Sequence, residues 1–200
     1  MSNFNQHNRI SNNDELFAQS GLPQAVRPAR HANNSLQVGF RHDKAEKDLH
    51  GQPVIVAAVP FDKLLDTFED LAWRIGNTVD VILETSHHSR DSTHRDLHRE
   101  DIKIAELLRI LKPYQDLLLN DSMTGIAVLN PQTHQEIQLN EHKLLVAQGS
   151  ILLEYCEFKL DQIGLQSKPN MRFITDVEHI HTYSEEYEKQ FGLLAAELEL

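Results

Sequence analysis

Between Pro53 and Glu84 the hydrophobic period of the chain changes twice, and nothing else in the sequence confines the fold so tightly. Val54 to Val59 is an unbroken apolar run, short and rich in β-branched residues, the pattern of a strand covered on both faces. Pro60 removes a ladder donor and fixes φ. The next apolar residues fall at helical spacing, as Phe61, Leu64, Leu65, Phe68, Leu71, Ala72 and Ile75, one stripe over four turns. Gly76 stands where a helix stops in a left-handed residue. Val79, Val81 and Leu83 then alternate with Asp80 and Glu84, Ile82 excepted, which reads as a second strand. Two strands joined through a helix in one sheet run parallel with a right-handed crossover. Both C-terminal ends then reach one edge, where ligands bind in open α/β sheets.

The rest of the chain adds layers to this unit. Thr85 to Asp101 is polar almost throughout and reads as a long loop. Ile104, Leu107, Leu108, Leu111, Leu117 and Leu118 mark a second helix, with Pro113 inside it predicting a kink near Lys112. Gly125 to Leu129 and Glu136 to Leu139 read as a hairpin and Lys143 to Ala147 as a third strand, an antiparallel meander. A helix capped by Ser150 runs to Ile163 and stops at Gly164. Met171 to Val177 reads as a last strand, and Ser184 caps a final helix with Glu185 and Glu186 in its first turn. The fold class is therefore mixed α/β, in the order β-α-β-α-β-β-β-α-β-α, with helices packed on a mixed sheet.

Composition sets the boundaries. Residues 1 to 50 are rich in Asn, Gln, Ser and His and poor in large apolar residues, too poor to offset the entropy of ordering. They read as a disordered tail, with Leu36 to Phe40 the segment able to dock, and 51 to 200 as a single domain. The tail holds six Lys/Arg against five Asp/Glu, so nearly all of the formal net charge of −11 lies in the domain. That acidity argues against a nucleic-acid or anionic-membrane partner and for a basic partner or a cation. Cys156 is the only cysteine, which suits a reducing compartment and reads as a buried, inert thiol. Neither a signal segment nor an apolar run of membrane-spanning length is present. A cytoplasmic location is the expectation.

Three histidine-bearing clusters carry the candidate chemistry. Glu84, Ser86, His87 and His88 follow the second strand. Glu178, His179 and His181 follow the last strand, where H-x-H in extended backbone puts both imidazoles on one face. Glu141, His142 and Lys143 open the third meander strand. Were the second and last strands parallel neighbours, Glu84, His87, Glu178, His179 and His181 would share an edge and supply ligands to Zn²⁺, Mn²⁺ or Fe²⁺. An open coordination position there would activate water for hydrolysis. A second set, Arg90, Arg95 and Arg99 with His142 and Lys143, is suited to a phosphate or carboxylate. His94 and His98 lack the glutamate of a zincin helix, and no G-x-S-x-G, G-x-G-x-x-G or P-loop pattern occurs.

These features support three functional expectations. With no recognisable catalytic motif, the leading one is a soluble, acidic, cytoplasmic binding or regulatory protein that recognises a protein partner. Its alternatives are a metal-dependent hydrolase with a His/Glu site at the sheet edge, the loop from Thr85 acting as a lid, and a binder of anionic small molecules through residues 85–101.

Overall fold

The protein is described here by a computed structural model covering residues 21–29, 36–44, 53–87 and 95–200. Its elements in chain order are β1 (Val26–Pro28), β2 (Gly39–Lys44), β3 (Pro53–Ala58), α1 (Phe61–Ile75), β4 (Thr78–Thr85), β5 (Arg95–Lys103), α2 (Ile104–Leu111), a 3-10 turn (Lys112–Tyr114) and α3 (Gln115–Asn120). There follow β6 (Thr124–Asn130), β7 (Gln135–Leu139), β8 (Leu145–Gln148), α4 (Ser150–Gln162), a second 3-10 turn (Ile174–Asp176), β9 (His179–His181) and α5 (Glu185–Glu197). The fold is mixed α/β.

Seven strands form one sheet in the order β2-β3-β8-β7-β6-β4-β5, and β1 and β9 form a separate pair. Every paired strand in both sheets is antiparallel to its neighbour. The β3-α1-β4 unit is present, and its two strands point the same way. They are not neighbours, because the meander β6-β7-β8 is inserted between them. The sheet thus differs from the expected mixed one: the helix crosses three strands, and each gap is filled by a hairpin-connected strand that short turns make easy to pair.

The core lies between one sheet face and the helices. Leu64, Phe68, Leu71 and Ile75 of α1 pack with Ile126, Val128, Ile137, Leu139, Val81 and Leu83 in one buried cluster. Full burial of Phe68 and each leucine contributes about 1.5–3 kcal/mol. Pro113 breaks the second helix as its position dictates, giving α2, a 3-10 turn and α3. Trp73, off the apolar stripe, is 53% exposed.

Three segments depart from the sequence reading. Within residues 1–50, β1 and β2 are strands, and Leu36 and Phe40 are buried. Pairing with β9 and β3 supplies the burial that these residues cannot supply to one another. Residues 1–20, 30–35 and 45–50 of the expected tail lie outside the described residues. Arg95 to Asp101, expected as part of a loop or lid, belongs to β5, an edge strand on β4. Its Arg, Asp and His residues suit an edge, where charge discourages further pairing. Met171 to Val177 is not a strand. Met171 and Phe173 instead pack with Ala58 and Leu144 on the sheet face opposite the helices, and Ile174 joins Ala25, Val26 and Leu36. Among the described residues, no helix is long and apolar enough to cross a membrane.

Candidate metal centre

Asn140 builds the first wall of the site. Its side-chain Oδ1 accepts from the backbone N–H of His142 and of Leu144, each at 3.0 Å, and its carbonyl accepts from Lys143 N at 2.9 Å. An Asx turn of this kind tolerates a left-handed residue, and Lys143 has φ +62°. The turn between β7 and β8 therefore projects His142 off the sheet.

The second wall is β9. Its register on β1 sets Val26 opposite His181 and Pro28 opposite His179. Hydrogen bonds from Ala29 N to Glu178 O (2.7 Å) and from Thr182 N to Ala25 O (2.8 Å) clamp both ends. Because side chains alternate along a strand, His179 and His181 share a face while Ile180 turns outward.

These two walls bring His142, His179 and His181 together, each half-buried, with one potential ligand atom per ring all within 4.8 Å of one another. The ring centroids stand 4.9, 5.0 and 5.0 Å apart, nearly an equilateral triangle. The outer nitrogens are engaged. His179 Nδ1 lies 2.8 Å from Val177 O and His181 Nδ1 lies 3.2 Å from Ser122 O, acceptors that require a proton on each Nδ1. His142 Nδ1 faces Glu141 Oε1 at 3.3 Å. In the neutral rings this arrangement leaves each Nε2 as a lone-pair donor, the tautomer that backbone and carboxylate partners impose on metal-binding histidines.

One distance tests that assignment. His142 Nε2 and His179 Nε2 are 3.1 Å apart. Two lone pairs at that distance repel unless a proton or a cation lies between them. The separation approaches the ~3.3 Å edge of a tetrahedron with metal–nitrogen bonds of about 2.0–2.1 Å. Burial pushes the pKa of His181 below its ordinary value, its bond to Ser122 opposes this, and the charges of His142 and His179 add to the lowering. Its neutral, ligating form is favoured.

A buried polar layer supports this arrangement. Asp121 Oδ2 accepts from Thr124 Oγ1 at 2.6 Å and contacts His87 Nε2 at 2.8 Å. Its Oδ1 has no hydrogen-bond partner among the described residues. Lys143, also buried, donates from Nζ to Thr124 O at 2.8 Å. Burial lowers the Lys143 pKa to about 8, against the opposing pull of Asp121 and Glu141. The segment from Asp121 to Thr124, so anchored, presents Ser122 O to His181, and Ser122 N and Oγ both donate to Thr182 O.

The residues singled out from sequence divide accordingly. His179 and His181 meet each other and His142, which the sequence had placed with the anion-binding set. Glu84 lies on the sheet face away from the helices, where Gln138 donates to it at 2.8 Å. His87 turns inward against Asp121 and the Phe191 ring, and Glu178 is exposed. Because β9 pairs with β1 rather than β4, these three do not join the cluster. Arg95 and Arg99 lie on β5, Arg99 donating to Leu198 O at 3.1 Å, while Lys143 points into the interior; Arg90 and His88 lie outside the described residues. The signal for His142 was the Asn140-Glu141-His142 turn itself, but its meeting with β9 depends on a three-residue pairing across most of the chain.

Three histidines so arranged can hold a metal ion. Compared with protein-family models, with curated proteins and with solved structures, the chain matches none.

Proposed function

We propose that the protein binds one divalent transition-metal ion, Zn²⁺ ahead of Mn²⁺ or Fe²⁺, through His142, His179 and His181. The observation that carries this reading is the 3.1 Å approach of two imidazole Nε2 atoms whose opposite nitrogens both face acceptors. An all-imidazole set with no carboxylate in the cluster favours Zn²⁺ over the earlier, harder metals. Three protein ligands leave a fourth position for water, the arrangement of catalytic rather than structural zinc. The chemistry such an ion supplies is water activated near neutral pH, so the reaction class is hydrolytic. Its single, buried thiol suits a reducing compartment such as the cytoplasm.

The test uses untagged protein, because a polyhistidine tag would bind the same ions. Elemental mass spectrometry and calorimetric titration are expected to find about one equivalent of zinc per chain, as a three-histidine centre holds one ion. His142→Ala, His179→Ala and His181→Ala each should weaken binding at least about 100-fold, since each removes a direct ligand. Should the wild type refuse Zn²⁺, or bind it as weakly as the variants, the close nitrogen pair is held by a shared proton and the reading fails.

A further inference from the structure

The sheet face opposite the helices carries a second feature, which borders the metal centre at Asn140. Strand register sets Val56 beside Val146 and then Gln138, and sets Val54 beside Gln148 and then Glu136. These cross-strand rows floor a groove of about 860 Å³, walled at one end by Phe173, Thr175 and Asp176. Among the described residues, no helix packs on it. Its apolar strip of valines is flanked by glutamine amides and by the carboxylates of Glu84, Glu136, Asp43 and Asp176. Arg41, the one cation lining it among the described residues, is committed: it contacts Asp43 at 2.8 Å and Asp176 at 3.3 Å and lies over the Phe173 ring. Glu136 has no cationic partner among the described residues, and burial raises its pKa.

We propose that this groove docks an extended Lys/Arg-bearing segment of a protein partner. Charge complementarity selects the sign, since the lining is net negative on a chain of net charge −11. The floor selects an extended peptide over a compact cation. Lysine and arginine stems lie along apolar surface while their heads reach the rim, and Gln138 and Gln148 each offer a donor and an acceptor to a passing backbone. Glu136, partly buried and without a cationic partner among the described residues, gains a counter-charge when the segment is bound.

The experiment is fluorescence anisotropy on the full chain with a labelled peptide of alternating lysine and valine, and a glutamate–valine peptide as control. Glu136→Lys lies in the groove. Asp62→Lys makes the same charge change on the outer face of α1, away from it. The lysine peptide is expected to bind, the glutamate peptide not to bind, and Glu136→Lys to weaken binding about tenfold or more, with Asp62→Lys within about twofold of wild type. Val146→Glu, which adds charge to the apolar strip, is expected to loosen the peptide as well; it serves as the second variant if circular dichroism shows Glu136→Lys unfolded. Three results would overturn the proposal: no binding of the lysine peptide, equal losses in Glu136→Lys and Asp62→Lys, or displacement by spermine at an affinity matching the peptide's, which would make the site one for small polycations.

Discussion

Lys143 is the residue whose environment departs furthest from its type. Lysines are almost never fully buried, yet this one is 1% exposed and donates to Thr124 O. Its folded pKa, about 8, is below the 10.5 of the unfolded chain. Between those values the unfolded state binds more protons, so through this residue stability rises as pH increases from about 8 towards 10. Below about pH 8 the burial cost is fully present. In urea titrations the gap in stability between wild type and Lys143→Met is expected to move in favour of wild type across about pH 8 to 9.5; a gap independent of pH would show that the ammonium is solvated. This burial was not legible in the sequence, because its partners Thr124 and Asp121 belong to another strand end. Cys156 was legible. A lone cysteine amid Leu152, Leu153 and Leu160 is indeed buried, and desolvation pushes its thiol up to about 12.

Among elements, most of those governed by local rules were readable, although Gly149 rather than Ser150 stands at the N-cap of α4 and no side chain caps it. The α1 stripe, the break at Pro113 and the cap of α5 each rest on residues within a few positions of one another. Ser184 Oγ accepts from Tyr187 N at 3.2 Å, with Glu185 and Glu186 in the first turn. Ser184→Ala is expected to cost about 1 kcal/mol, measured as a drop in the denaturant midpoint at unchanged slope; Ser184→Asp should retain most of the stability. Elements fixed by distant partners were not readable. β5 shows hardly any apolar alternation because, at a sheet edge, only Ile102 is fully buried, with Leu97 and Arg99 partly so. The apolar residues Met171 and Phe173 suggested a strand but serve as a cover, since the sheet offers them a face rather than a free edge. β9 is three residues long, and its partner lies in a stretch whose composition suggested a tail.

On the scale of the whole molecule, the histidine cluster joins two sheets. His142 belongs to the turn of the seven-stranded sheet, and His179 and His181 to the small β1–β9 sheet. Metal affinity should therefore depend on residues that touch no metal. Val26, 2% exposed and paired with His181, packs against Ile174, Leu36 and Ala25. Val26→Asp puts an unpaired charge in that cluster and is expected to weaken Zn²⁺ binding about tenfold or more with all three ligands intact, because the ion then has to order β9 itself. Calorimetric titration reads this directly. An unchanged affinity would mean that β9 is held by contacts other than β1.

The central claim, that three imidazoles converge on one ion, is tested most directly by X-ray absorption at the zinc edge of the loaded protein. The expected spectrum has three imidazole shells at about 2.0–2.1 Å and one light oxygen or nitrogen scatterer, falling to two imidazoles in His142→Ala. Fewer than three imidazoles in the wild type, or the same count in both proteins, would contradict it.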